Sequence, residues 1–410
     1  MMFLWFRLPV LILAFCASTV AARAEPLGEP AFSPVTYQRT VWAYEGYRAL
    51  YEKGGWPDLP AGVAGLMEGA EGPAVAALKQ RLILMRDMAP DAAENDLFDQ
   101  GTREGVRHFQ RRHGLTPSGK IGERTLRALA VPIDMRLKQM WMTLERMRQT
   151  HFSFPERYIV LNIPGATIEA VDDGQTSRRH VAVVGRPDRQ SPLVSSRLAT
   201  INLNPTWTVP TSIIRNDLGP KIQADPLFLQ KHGMHVFGPG GIELDPASID
   251  WSGRNRLNVS IRQDPGPANS LGRLRLDMPN IHAVYMHDTP QRDLFRSDAR
   301  FHSSGCARVE DVVGLAAWAL EGTDWNRARL ESEIAAGSRI DIRLAKPVPV
   351  IWVYLTGWAA ADGTIQFRED IYGFDEGRAP QAEAEKDVTG SINQRPAGIA
   401  DLIGASPARR

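Results

Sequence analysis

The chain has 410 residues, 43% hydrophobic and 23% charged, the composition of an ordinary globular protein of two or three domains that can bury full cores without disulfides or metals. Its formal net charge of +1 at pH 7 lacks the basic excess that marks a nucleic-acid binder, so no nucleic-acid partner is expected. Residues 1–24 stand apart from the rest. Arg7 precedes an apolar run from Leu8 to Cys16, and Ala22-Arg23-Ala24 has the small-x-small form of a cleavage site, the layout of a secretory signal peptide. The run is well short of the ~20 apolar residues a spanning helix needs, and Phe15 is too bulky for the position before a lipidated cysteine. No later stretch is long and apolar enough to span a bilayer, so no stable membrane insertion is expected once the leader is removed. Cleavage after Ala24 takes away Arg7, Arg23 and Cys16, leaving 46 of the 48 basic residues against 47 acidic ones, a net charge of −1. The remaining thiol, Cys306, then has no partner for an internal disulfide, and oxidising compartments act against exposed thiols. A solitary thiol kept there is either buried and inert or chemically employed.

Residues 25–69 read as an N-terminal helical segment. Tyr37 to Tyr51 forms an amphipathic helix with Val41, Tyr44 and Leu50 among its apolar positions, ended by Gly54-Gly55-Trp56-Pro57. Over residues 70–131, Val75, Leu78, Leu82 and Met85 recur at helical spacing. The turn Phe98-Asp99-Gln100-Gly101-Thr102 leads into a second helix carrying Val106, Phe109 and Gln110, and a third runs from Glu123 to Leu129. The stretch FDQGTREGVRHFQRRHGLTPSGKIGERTLRAL, residues 98–129, resembles a peptidoglycan-binding domain of the three-helix type. Phe109, Gln110 and Leu115 are expected to be structural within it. Residues 132–156 supply a linking helix with Met140, Trp141, Leu144 and Met147 as its stripe.

From residue 157 the pattern changes to strands. Tyr158–Ile163 and Thr167–Val171 form a hairpin, and Arg179–Val184 and Leu198–Leu203 continue the series, a density of turns that points to an all-β sandwich or barrel. Residues 205–280, rich in Pro, Gly and Asn, interrupt the strands with a helical piece around 212–229 and read as a lid-like insertion. Strands resume at Ala283–His287, a helix follows at Val309–Leu320, and Ile340–Leu344 and Val350–Leu355 close the sheet. Residues 377–410 have the composition of a disordered tail.

Two short stretches carry chemistry: Tyr285-Met286-His287-Asp288-Thr289-Pro290 and, after it, Phe301-His302-Ser303-Ser304-Gly305-Cys306-Ala307-Arg308-Val309. Attack on an amide carbonyl needs a nucleophile, a base and donors for the oxyanion. Cys306 supplies sulfur, whose ordinary pKa near ~8.5 falls beside an imidazolium or a helix N-terminus; His287 and the helix from Val309 are the candidates for these. Gly305 lets the backbone approach closely, its N–H and that of Cys306 are candidate oxyanion donors, and Arg308 is a candidate for a substrate carboxylate or the developing charge. A metal site built from His232, His235, His282 and His287 is not expected, since no HExxH or cysteine-histidine spacing accompanies them. Nothing suggests a cofactor.

Together with Val184-Gly185-Arg186-Pro187-Asp188-Arg189-Gln190-Ser191-Pro192, the HDTP and SSGCARVED segments resemble the catalytic signature of L,D-transpeptidases of the YkuD type, in particular the large periplasmic branch with an insertion in the catalytic domain. The resemblance implies a multidomain α+β chain: a mainly β catalytic domain over 157–376, a sandwich or barrel with a helix after the cysteine and an insertion at about 205–280, joined to the small three-helix peptidoglycan-binding domain. It implies Cys306 as acyl-enzyme nucleophile and His287 as base. The usual third member is a backbone carbonyl beside the histidine, so Asp288 is expected to act through its main chain more than its carboxylate. Ser304 stands with Gly305 and Arg308 as an oxyanion or substrate candidate; many members carry a histidine at its position, which leaves His302 as an auxiliary or a plain loop residue. The implied substrate is the peptidoglycan stem peptide, in the periplasm. The acceptor stays open between a second stem, water, a lipoprotein and a D-amino acid. Carbapenem acylation and partnership with other cell-wall synthesis proteins are further implications. A non-catalytic wall-binding protein and a papain-like protease are the competing readings, the latter opposed by the order histidine before cysteine.

Overall fold

The computed structural model describes residues 27–91, 95–251 and 258–376. The signal peptide and tail read from the sequence lie outside the described residues. Five helices come first: α1 (Thr36–Glu52), α2 (Pro73–Leu84), α3 (Gln100–Arg112), α4 (Glu123–Ala130) and α5 (Ile133–Gln149). Asp99 starts α3 as an N-cap, its Oδ1 accepting the Thr102 N–H at 2.7 Å. Gly114, at φ 66°, ends the same helix. Gln110 explains why FQRRHGL and GKIG occur together. It is buried, its Nε2 donates to the Lys120 carbonyl (2.9 Å) and the Thr125 hydroxyl (3.0 Å), and its Oε1 accepts the Gly119 N–H (2.8 Å). One side chain thus satisfies the turn that launches α4.

The expected apolar positions Val75, Leu78, Leu82, Met85, Val106 and Phe109 are buried together with Leu129. The same cluster also takes Tyr47 and Trp56 from the N-terminal segment, Ile133 and Met140 from α5, and Phe367 from near the end of the described chain. Three short helices cannot bury enough surface alone, and here the cluster is completed from both sides. A buried Asp87–Arg112 ion pair, 2.5 Å, lies alongside, and Arg112 also donates to the Ile365 carbonyl at 3.2 Å.

The second half is a closed barrel. In chain order its strands are β1 (Arg157–Asn162), β2 (Thr167–Asp172), β3 (Gln175–Gly185) and β4 (Val194–Leu203); an excursion then carries β5 (Trp207–Thr208), β6 (Met234–Phe237), β7 (Glu243–Leu244) and β8 (Ser260–Gln263). β9 (Leu274–Asp277), β10 (Met286–His287), β11 (Phe301–Ser303), β12 (Ala307–Val309) and β13 (Ile340–Val353) return to the main sheet, and β14 (Gly357–Ala359) pairs with β15 (Ile365–Phe367) as a separate hairpin. The main sheet runs β11-β3-β12-β10-β9-β4-β13-β1-β2, and β2 also pairs with β3, which closes the ring and leaves β11 on its rim. Alternate residues of each strand fill the interior, among them Ile159, Leu161, Val184, Ile201, Leu276 and Trp352.

Several details differ from the sequence reading. The two closing strands are one, β13, irregular between Arg343 and Val348, where Pro347 lacks a ladder N–H. The excursion after β4 folds on its own cluster, with Trp207, Ile214, Leu229, Val236 and Ile261 at its centre and a four-stranded sheet β5-β8-β6-β7. Its helical piece is broken into α6 (Thr211–Ile213), a π-turn at Ile214–Leu218, α7 (Gly219–Ala224) and α8 (Phe228–Lys231). The helix expected at Val309 begins later, as α9 (Val312–Ala319), followed by α10 (Arg327–Ala335). Asp311 takes a left-handed conformation (φ 48°) to cap α9, and β12 occupies the intervening residues. Cys306 therefore precedes a strand, and the positive end of α9 is not placed directly behind it.

Phe367 is 1% exposed and belongs to the cluster of the helical half. Phe367→Ala is expected to cost ~3–5 kcal/mol. The loss should appear in the unfolding of the helical half, followed by hydrogen exchange of α2 and α3 amides in urea. Unchanged protection of those helices would show that the helical half closes its core unaided.

Candidate active site

β10 lies between β9 and β12. Met286 pairs with Ala307 and His287 with Arg308 in parallel register, while Met286 faces Leu276 and His287 faces Arg275 on the antiparallel side. Side chains alternate across a strand. Met286, Ala307 and Leu276 point into the barrel core, so His287, Arg308 and Arg275 stand on its other face. Tyr285 and Cys306, one residue earlier on each strand, fall on that face too, joined by the Ala307 N–H donating to the Tyr285 carbonyl at 3.0 Å. Cys306 and His287 are diagonal neighbours across the pair, a relation that puts residues roughly 7–8 Å apart, within reach of side chains.

The His287 ring is fixed. It is buried, its Nδ1 lies 2.5 Å from the Asp288 carbonyl oxygen, and the Tyr285 ring packs edge-on at 5.6 Å. A carbonyl only accepts, so Nδ1 carries the proton and Nε2 keeps the lone pair. The Asp288 carboxylate turns elsewhere. It accepts from Arg273 (backbone N and Nε, both 3.0 Å) and from Arg292 (2.8 and 3.1 Å). Gly272, at φ 62°, makes room for it: a Cβ there would meet the Asp288 Cβ at 2.6 Å.

Cys306 is a half-buried free thiol. The loop before it is braced by side chains the sequence reading left out. The Ser303 hydroxyl donates to the Cys306 carbonyl and accepts the Gly305 N–H at 3.2 Å. Ser191 donates to the Gly305 carbonyl at 2.7 Å and accepts the Gly185 N–H at 2.9 Å. Gly305 sits at φ 112°, and Gly185 is packed so closely that a Cβ would meet the Arg189 carbonyl at 2.3 Å. These two glycines let the VGRPDRQSP segment lie against the cysteine loop. The Gly305 N–H, expected to be a free donor, is engaged with Ser303, and among the described residues no partner meets the Cys306 N–H.

Burial pushes the Cys306 thiol up to about 11, against the lowering effect of Tyr285 and of the Arg275 and Arg308 charges. Burial, then the Arg308 charge, pushes the His287 imidazole down to about 4, with the Asp288 carbonyl opposing. Burial thus works against the charged form of each group, where the sequence suggested a preformed ion pair.

The remaining sequence candidates take peripheral places. Arg308 is half-buried and donates to Gln291 Oε1 at 2.7 Å. Ser304 is exposed and accepts from Arg189 at 3.1 Å; Arg189 also grips Asp217 of the excursion, one bond being 3.1 Å. His302 is exposed, with Nε2 2.9 Å from the Ala299 carbonyl, and is not brought to the sulfur. The half-buried Tyr285 packs against both the barrel core and the excursion's core, to which Trp207 belongs. Arg275 was missed, although Leu274-Arg275-Leu276-Asp277 alternates as a half-buried strand should.

Residues 156–340 match the family model described as the L,D-transpeptidase catalytic domain (YkuD), and residues 71–129 the one described as "Putative peptidoglycan binding domain". A Haemophilus influenzae protein named "Putative L,D-transpeptidase" is 35% identical over 218 residues, 53% of this chain and 44% of that protein; the chain thus spans less than half the length of this curated relative. Solved structures similar to it include an L,D-transpeptidase from Xylanimonas cellulosilytica (16% identity, 72% of this chain and 100% of that chain, TM-score 0.23) and one from Mycobacterium smegmatis (13%, 48% and 58%, TM-score 0.23).

A thiol held near 11 alkylates slowly at neutral pH, because the thiolate is the reactive form. The rate of Cys306 modification by iodoacetamide, followed by mass spectrometry, is expected to keep climbing as pH rises through 9. A plateau below pH 8 would mean that the thiolate is stabilised.

Proposed function

We propose that this chain, with an L,D-transpeptidase catalytic domain at residues 156–340 and a peptidoglycan-binding domain at 71–129, is a cell-envelope acyltransferase, exported by its signal peptide, that cuts and rejoins peptidoglycan stem peptides through Cys306. The observation that carries this reading is the pairing of β10 with β12, which sets Cys306 and His287 on one face of the barrel while Asp288 ties down the far nitrogen of the ring.

The donor is a tetrapeptide stem. As the Cys306 sulfur attacks the carbonyl between the third residue and the terminal D-alanine, the His287 Nε2 lone pair takes the thiol proton, so no free thiolate has to accumulate. The Cys306 N–H is the nearest backbone donor for the oxyanion, and Arg308 and Arg275 add positive charge on the same face. The C–N bond then breaks, the proton on His287 passes to the departing amine, and a thioester remains. The amine of a second stem, deprotonated by the same nitrogen, attacks the thioester. The sulfur leaves, recovers a proton, and a 3→3 cross-link results. Water as acceptor gives the L,D-carboxypeptidase outcome instead. Carbapenems would acylate the same sulfur. Asp288 is a positioning residue through its carbonyl, Ser304 and His302 are not needed for proton transfer, and Gly305 serves through its backbone conformation. A non-catalytic wall-binding role is less well supported, since a buried imidazole tied at one nitrogen beside a lone thiol has no evident structural purpose.

Purified tetrapeptide muropeptides incubated with the mature protein are expected to release D-alanine and yield a dimer, and Cys306→Ala should abolish both. Persistence of either product in that variant would rule out the nucleophile. Asp288→Asn keeps the carbonyl that holds His287 and loses the charge on two arginine contacts. It should cost ~1–3 kcal/mol of stability yet reduce turnover far less than His287→Ala. A loss as deep as that of His287→Ala, in a protein still folded by circular dichroism, would give the carboxylate a direct role.

A further inference from the structure

A cavity of about 610 Å³ lies in the seam between the helical half and the barrel, away from the residues of the candidate active site; small-molecule sites commonly span ~300–1,000 Å³. Its wall carries three guanidiniums without a carboxylate partner among the described residues. Arg136, 4% exposed, donates to Gln139 Oε1 (2.8 Å) and the Ala128 carbonyl (2.6 Å). Arg300 donates to the carbonyls of Ser297 (2.9 Å) and Gly165 (3.2 Å). Arg368 donates to the carbonyls of Arg112 (2.8 Å) and Phe367 (2.6 Å) and to Gln366 Oε1 (3.3 Å). The Nε atoms of Arg136 and Arg300, both in the same lining, are buried without a partner.

Five acids share this lining, four of them with partners of their own, although the Oδ2 of Asp375 is buried without one. Asp375 pairs with Arg146 at 2.6 Å. Asp370 accepts from the Tyr354 hydroxyl and from two backbone N–H groups. Asp298 and Glu369 stand 4.0 and 3.6 Å from Arg124, and Glu376 is exposed. Burial pushes Arg136 down to about 9, with the Arg112 charge adding to the effect, and Arg368 to about 10, with the Arg300 charge adding. Burying like charges without a counter-ion is costly, and neutral carbonyls compensate it only in part. An anion entering the cavity would supply the missing partner. Guanidinium forks match carboxylates in shape as well as charge.

We propose that this seam is an anion site that takes the carboxylates of a peptidoglycan peptide stem, so that a strand is held by both halves of the protein at once. The anion site stands on the unpaired guanidiniums alone; its peptidoglycan source rests on the function proposed above.

The test is equilibrium binding to the full mature chain carrying Cys306→Ala, which cannot turn the ligand over. The probes are a disaccharide-tetrapeptide, the same compound with its carboxylates amidated, and inorganic phosphate. Amidation is expected to weaken binding at least about tenfold, the loss of one charge-assisted contact. Adding Arg300→Met and Arg368→Met should erase the difference between the acid and amide forms, with a melting temperature unchanged or raised because repulsion is relieved. Arg300→Lys alone should retain part of it. Equal binding of the two forms, or a double variant that melts lower and still distinguishes them, would overturn the site. Phosphate that binds as tightly as the muropeptide and displaces it would overturn the peptide-stem assignment. Release of D-alanine by the unmodified enzyme is a separate measurement, and its absence would sink the transpeptidase reading while leaving the anion site standing.

Discussion

The short parallel pairing of β10 with β12 is the constraint on which the site depends. Two residues on each strand, Met286 with Ala307 and His287 with Arg308, settle which side chains meet the core and which stand on the opposite face. A slip of one residue would turn His287 and Cys306 into the barrel and bring Met286 and Ala307 out. The barrel opposes this by burying Met286 and Ala307 completely. The hydrophobic core therefore holds the chemistry in register, and the polar residues need not secure themselves. Closure of the ring through the β2–β3 contact adds to this, since a closed barrel has no free end from which a slip can start.

On that face burial dominates the electrostatics. His287 is buried behind Tyr285, and the positive charges of Arg275 and Arg308 disfavour an imidazolium. The same charges help a thiolate, but burial outweighs them. Burial thus opposes charge on both groups, which suits the general-base assistance proposed above. A sulfur kept protonated also resists oxidation, which follows thiolate character. The carbonyl of Asp288 is what makes this arrangement directional, by leaving Nε2 as the basic nitrogen.

Much of this was legible in the sequence because it is written in local patterns. Alternating apolar residues announced β1 to β4, and the turn residues around Gly114 and Gly119 announced the helical module. The motifs around His287, Gly305, Cys306 and Arg308 pointed to the segments that β10 and β12 bring side by side. What escaped notice is non-local. Ser191 braces Gly305 across 114 residues, and Arg189 reaches both Ser304 and Asp217; nothing at those positions distinguishes a brace from a surface residue. The helix expected to start at Val309 gives way to a strand because Ala307 to Val309 find edges on β3 and β10, a tertiary gain that local propensity cannot register. The thiol's environment is non-local for the same reason: burial, which no neighbour in the chain announces, works against its ionisation.

The helical half and the barrel are joined by more than a linking helix. Phe367 and Arg368 are consecutive on the segment that closes β15. The first inserts into the helical cluster beside Met140 and Leu129; the second lies against the Gly114 turn, where a Cβ would come within 2.7 Å of its Nε. Consecutive residues of an extended segment point to opposite sides. The packing that anchors Phe367 in the helical core therefore also presents Arg368 to the seam. Withdrawing one would withdraw the other, so the two halves cannot separate without dismantling the cationic wall between them. A module appended only as a tether would have no need of such an arrangement. Sharing a core residue fixes the distance between the helical half and the barrel.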